Sequence, residues 1–158
     1  MAEKTAKHIK ILPIYVLNGP NLNLLGSREP GVYGRTTLAD IDLMVTERSK
    51  CHGYAAICRQ SNHEGELVDW VQEACSQAIA VVLNAGGLSH TSIALLDACR
   101  TLDIPLVEVH LSNPFRREGF RRHSYISEAA NGMVCGFGAS SYVLAIEAVA
   151  MLLKGNVE

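Results

Sequence analysis

The chain has 158 residues, 48% of them hydrophobic and 19% charged, with a formal net charge of −2. That length suits one domain with a sizeable core and is short for two, and so small a net charge leaves no electrostatic footprint for nucleic acid or an anionic membrane surface. The longest apolar run, Tyr142 to Leu153, falls short of the ~20 residues that span a bilayer and is broken by Glu147.

Met1 to Lys10 carries Lys4, Lys7 and Lys10 but no apolar stretch ending in a small-residue cleavage site, so it does not read as a signal peptide. Residues 1–8 are expected to form a flexible extension of one domain covering residues 1–158. Ile9 to Leu17 is a β-branched and aliphatic run that predicts the first, buried strand. Asn18, Gly19 and Pro20 end it with turn chemistry. About a dozen residues then precede the next helix signal, a length usual for binding loops, lids or linkers. Leu22, Leu24, Leu25, Val32 and Tyr33 are too apolar for a solvated linker. Within that loop Arg28 and Tyr33 flank Glu29 to Val32, where Pro30 followed by Gly31 predicts a type II turn. Such a turn brings guanidinium and phenol to one side. A phenol of pKa about 10 is ionised only about one part in a thousand near pH 7, and a fixed positive charge beside an acid lowers its pKa by roughly 1–3. Tyr33 therefore reads either as a packing residue or as a base activated by Arg28.

Thr37 to His52 is a helix, with Thr36 or Thr37 as N-cap, Leu38, Ile41 and Val45 on one face, and Gly53 placed to end it. Tyr54 to Cys58 is the second strand, Glu64 to Gln77 the second helix and Ile79 to Leu83 the third strand. Thr91 to Leu102 is a helix, Pro105 to His110 the fourth strand, Gly132 to Phe137 the fifth, and Ser140 to Leu153 a closing helix. Apolar strands alternating with helices predict an α/β protein whose parallel sheet is covered on both faces. The commonest five-stranded arrangement has order 2-1-3-4-5 and binds ligands beyond the carboxyl ends of strands 1 and 3. Strands 1, 3 and 4 are neighbours in that order, and the polar segments of the chain follow just those strands. They are Asn18 to Asn23, Asn84 to His90, and Glu108 to Asn113.

Strand alternation puts Glu108 and His110 on one face, so the carboxylate can orient the imidazole for acid–base work. The same pair also fits a core histidine satisfied by an acidic neighbour. Asn84 to Gly87, with Ser89 and His90 behind, reads as a glycine turn entering a helix, a place where backbone N–H groups favour anions or hydroxyls. His90 is either a ligand contact or part of the cap. Asp97 most simply pairs with Arg100 one turn on. The basic run Arg116 to His123 is a solvated face, or supplies an arginine to an anionic substrate. The sequence has neither G-x-G-x-x-G nor a Walker motif. His63, His90, His110 and Glu108 lack zinc spacings, and no lysine falls in the three loops, which tells against metal or imine chemistry. The five cysteines (Cys51, Cys58, Cys75, Cys99, Cys135) are odd in number and widely spaced, and are expected to be buried free thiols of a reducing, cytoplasmic protein.

Five stretches, NGPNLNLLGSREPGVYG from Asn18 to Gly34, RQSNHEG from Arg59, LNAGG from Leu83, EVHLSN from Glu108 and FRRHS from Phe120, resemble the type II 3-dehydroquinate dehydratases over nearly the whole chain. The resemblance implies a flavodoxin-like three-layer sandwich. It further implies anti elimination of water from 3-dehydroquinate, through an enol or enolate, to give 3-dehydroshikimate. No cofactor or metal, nucleic acid or membrane is expected. Carried across, it implies Tyr33 as the base, Arg28 as the group lowering its pKa, and His110 as the acid held by Glu108. Asn21 would place a water on the enolate oxygen. Asn84, His90 and Arg121 resemble substrate contacts, Leu111 and Ser112 a carboxylate grip, and Arg117 a lid arginine. Asp97 resembles a residue reaching a neighbouring subunit's site within a dodecamer of four trimers. The chain departs from the family pattern in its longer amino end and at Phe115, Arg116 and Gly119. The rival reading is a non-catalytic flavodoxin-like module that holds phosphate or nucleotide on the Asn84–Ser89 turn.

Overall fold

The computed structural model describes residues 11–27 and 29–155, with Pro30 and Tyr33 described in their backbone alone. Five parallel strands, β1 (Ile14–Asn18), β2 (Ala56–Gln60), β3 (Ala80–Asn84), β4 (Leu106–His110) and β5 (Gly132–Cys135), form one sheet in the order β2-β1-β3-β4-β5. Helices α2 (Leu38–Cys51) and α5 (Ser140–Gly155) cover one face, and α3 (Glu64–Gln77) with α4 (Ile93–Cys99) the other. This is the flavodoxin-like α/β arrangement.

Strand alternation sorts the core. Ile14 and Val16 of β1, Ala80 and Val82 of β3, and Val107 and Val109 of β4 pack under Ile41, Val45, Tyr142 and Ile146. Tyr15 and Leu17, Val81 and Leu83, and Leu106 pack under Leu67, Val71 and Leu95. Strands buried on both faces carry no polar alternation, so they appear in sequence as apolar runs.

The element ends differ from expectation for local reasons. Pro13 lacks an N–H, and β1 begins at Ile14 rather than Ile9; residues 1–10, including the expected extension, lie outside the described residues. β2 runs on through Arg59 and Gln60 because these pair in register with Leu17 and Asn18. At α2 the Thr37 hydroxyl accepts the Asp40 N–H at 3.2 Å while Asp40 accepts the Thr37 N–H at 2.9 Å, a reciprocal cap. α4 ends at Cys99, three residues early, as the chain tightens through Thr101 N–H to the Ala98 carbonyl at 3.0 Å.

Pro30 and Gly31 do not form a type II turn. The Val32 N–H does reach the Glu29 carbonyl, at 2.9 Å, but Gly31 is not left-handed, and Pro30–Tyr33 is one helical turn, α1. The positive φ values lie on either side, at Glu29 (41°) and Gly34 (78°). The thiols are free, yet only Cys99 is buried; Cys51 and Cys75 are exposed and Cys58 and Cys135 intermediate. Cys51 closes α2, and Cys75 lies one residue after the buried Ala74 of α3, so an apolar neighbourhood in sequence did not translate into burial.

Candidate active site

A cavity of about 170 Å³ opens at the carboxyl edge of the sheet. The loop after β1 contributes Asn21, Leu22 and Leu25, and the turn after β3 contributes Asn84, Gly86 and Gly87. The end of β4 adds His110, Leu111 and Ser112, and the segment beyond it Arg117 and Arg121. The three polar segments of the sequence thus meet at one hollow.

Two glycines let the first two segments touch. The Gly19 N–H donates to the Asn84 carbonyl at 2.8 Å, and a Cβ on Gly19 would lie 2.4 Å from the Ala85 carbonyl oxygen. Gly86, at φ 58°, passes so close to Pro20 that a Cβ there would come within 3.1 Å of its carbonyl oxygen, and only glycine takes that backbone without strain. Asn21, left-handed at φ 68°, donates its N–H to the Asn62 side chain at 2.9 Å. The Gln60 side chain bridges Asn62 and the Gly19 carbonyl, at 3.1 and 3.2 Å. The end of β2 therefore buttresses the loop from behind, which gives the RQSNHEG stretch a structural task.

At the end of β4, Glu108 is fully buried and His110 is 7% exposed. The imidazole Nε2 and the Ser124 hydroxyl each reach Glu108 Oε1 at 2.6 Å, and the Ser127 hydroxyl donates to Oε2. Burial alone would raise the Glu108 pKa and is the largest single influence. The hydrogen bonds from His110, Ser124 and Ser127, with the His110 charge, outweigh it, so the carboxyl is held below its ordinary value. An ionised Glu108 accepts from Nε2–H, which fixes the ring and leaves Nδ1 as the nitrogen able to give or take a proton. Nothing in the local sequence marks Ser124 and Ser127 as partners of Glu108. They approach Glu108 from 16 and 19 residues away, and only the FRRHS stretch hinted at the first.

Arg117 and Arg121 bring positive charge to the rim, and Glu118 sits between them, at 3.6 and 3.1 Å from their Nε atoms. Glu118 titrates below its ordinary value, through a backbone hydrogen bond first and the two guanidinium charges after it.

His90 lies outside the cavity lining. A carbonyl only accepts, so its contact with the His123 carbonyl at 2.7 Å means that Nδ1 carries the proton. That bond ties the β3 turn to the basic segment. Asp97 also stands away from the cavity, 66% exposed on α4 and 3.8 Å from Arg100. Arg28 and the Tyr33 side chain lie outside the described residues; the backbone of α1 places Tyr33 in the same long loop as Asn21.

The model of the family described as dehydroquinase class II matches residues 12–150. A 3-dehydroquinate dehydratase from Caulobacter sp. (strain K31) is 59% identical over 146 residues, which cover 92% of this chain and 99% of that protein. One from Phenylobacterium zucineum (strain HLK1) is 57% identical, covering 90% and 98%. The crystal structure of type II dehydroquinase from Propionibacterium acnes superposes with a TM-score of 0.85 at 39% identity, covering 89% of this chain and 97% of that one. Sequence, strand order and shared fold agree along almost the whole chain, which belongs to the class II dehydroquinase family.

Proposed function

We propose that this chain is a hydro-lyase that converts 3-dehydroquinate to 3-dehydroshikimate, a step of the shikimate pathway, by anti elimination. The observation that carries the reading is the meeting, in a chain of this family, of Asn21, Asn84, His110, Ser112 and two arginines around one cavity, with His110 clamped by a buried carboxylate. A phosphate- or nucleotide-holding module would need no such clamp.

In this reading Tyr33, made available as phenolate by the Arg28 charge, takes a proton from the carbon α to the ketone. The electron pair moves onto the carbonyl oxygen, and a water placed by Asn21 stabilises the enolate. As the carbonyl re-forms, the electron pair expels the β-hydroxyl, which leaves as water on receiving a proton from His110 Nδ1–H. Before that transfer Glu108 stabilises the imidazolium, which the transfer leaves as a neutral ring still hydrogen-bonded to Glu108 through Nε2–H. A positioned base and acid contribute about 10²–10⁴-fold each, and stabilising the enolate charge supplies much of the remainder. Asn84 and Arg121 bind the substrate hydroxyls while His90, through its bond to the His123 carbonyl, braces the turn beside them; Leu111 and Ser112 hold the carboxylate, and Arg117 closes over the substrate, displacing its contact with Glu118.

The reading extends to a cytoplasmic homododecamer of four trimers, with residues 1–158 as one domain and Asp97 reaching the neighbouring subunit. Its supports are the free thiols and the exposure of Ile93 (50%) and Asp97 one turn apart on α4. No helix among the described residues is long and apolar enough to cross a membrane. Adding 3-dehydroquinate to the pure protein and following absorbance of the conjugated enone tests the activity, and the absence of any absorbance rise overturns it. Hydrodynamic mass tests the assembly.

A further inference from the structure

A buried hydroxyl behind the cavity determines how Asn84 faces it. Asn18 and Asn84 end β1 and β3, are register partners, and point to the same face of the sheet as Val16 and Val82. There they meet Tyr142, in the first turn of α5 and fully buried. The Tyr142 hydroxyl donates to Asn18 Oδ1 at 2.6 Å and accepts from Asn84 Nδ2 at 2.8 Å. Asn84 Oδ1 accepts the Gly86 N–H at 3.2 Å.

The polarity of this chain has one consistent direction. A backbone N–H can only donate, so Gly86 requires the oxygen of Asn84 on its side. The amide nitrogen must then face Tyr142, whose hydroxyl, having accepted, gives its proton to Asn18. Reversing Asn84 would set its NH₂ against the Gly86 N–H. Burial pushes the Tyr142 phenol far above its ordinary pKa, so it acts as a neutral hydroxyl throughout neutral pH. An amide nitrogen has two hydrogens. One goes to Tyr142, and the other remains on a residue that lines the cavity and is 3% exposed.

We infer that Tyr142 is a positioning residue: through Asn84 it presents one amide N–H to a substrate hydroxyl and holds the Gly86–Gly87 turn in shape. The inference rests on the function proposed above. Tyr142 touches no substrate, and its effect passes through one side chain. In the function proposed above Asn84 binds a substrate hydroxyl and not the reacting carbonyl, so ground and transition states feel the loss alike, and KM bears it.

The test is a double-mutant cycle read in steady-state kinetics. Tyr142→Phe is expected to raise KM roughly three- to tenfold, the size of one neutral hydrogen bond, with kcat within about twofold. In an Asn84→Ala background the same change is expected to leave KM where Asn84→Ala alone puts it. A merely structural role for Tyr142 predicts lower thermal stability with KM unmoved, or KM effects that multiply in the double variant, and either result overturns the inference. If Tyr142→Phe does not fold, Asn18→Ala replaces it, since removing the acceptor frees the hydroxyl proton to compete for Asn84 Oδ1. A smaller KM rise that vanishes without Asn84 is then expected, and one that persists refutes the coupling. Wild-type protein with no turnover sinks the functional reading itself, whereas active wild type with an uncoupled Tyr142 sinks only this inference.

Discussion

Replacing Glu108 by Gln removes one charge while keeping shape. With the amide oxygen in the place of Oε1, the bonds from His110 and Ser124 survive. With the amide nitrogen in the place of Oε2, the Ser127 hydroxyl turns to accept. What disappears is the negative partner of the imidazolium. A hydrogen bond to a charged group is worth about 1 kcal/mol more than a neutral one, and a unit charge pair about 4 Å apart at an effective dielectric constant of 20 is worth about 4 kcal/mol. At 1.36 kcal/mol per decade these limits bracket a fall in kcat of about five-fold to about a thousandfold, with KM little changed. Initial rates of enone formation measure it, and near-ultraviolet circular dichroism checks that packing persists. A folded Glu108→Gln protein with kcat within twofold of wild type would refute the charge argument.

The same substitution has a pH signature. The folded-state Glu108 carboxyl titrates below its ordinary 4.5, so the folded protein binds that proton less readily than the unfolded chain. Its stabilisation is complete above about pH 4.5 and fades as pH falls through the folded value. The Tm gap between wild type and Glu108→Gln should therefore be widest near neutrality and narrow in acid.

Tyr33→Phe and Arg28→Ala are each expected to lower kcat by about 10²–10⁴-fold, the worth of a positioned base, without changing the melting transition; near-wild-type kcat in Tyr33→Phe removes the proposed base. Gly19→Ala drives a Cβ into the Ala85 carbonyl and should cost about 1–3 kcal/mol of stability while raising KM, since the displaced turn carries Asn84; denaturant unfolding and steady-state rates together check it. Asp97→Ala removes only a surface pair worth about 0.2–0.5 kcal/mol within one subunit, so a larger loss of activity, with monomer-level stability intact, is the outcome expected if Asp97 serves a neighbouring subunit; unchanged kcat and KM would confine it to its Arg100 contact.

Period and punctuation in the sequence were enough to determine the element types, the burial of both sheet faces and the meeting of the segments after β1, β3 and β4, because a parallel sheet sends the ends of its neighbouring strands to one edge. The Glu108–His110 pairing was legible for the same reason, since alternation acts within two residues. Tertiary structure alone decided the rest. Pro30 and Gly31 became a helical turn because Glu29 and Gly34 took the left-handed φ values on either side. His90 turned to the His123 carbonyl rather than the cavity. Ser124 and Ser127 settled on Glu108, and Tyr142 joined Asn84 and Asn18 across 58 and 124 residues. Periodicity states which face a side chain occupies; a buried hydrogen-bond partner is set by which distant backbone brings a complementary atom within about 3 Å, and nothing local in the chain encodes that distance.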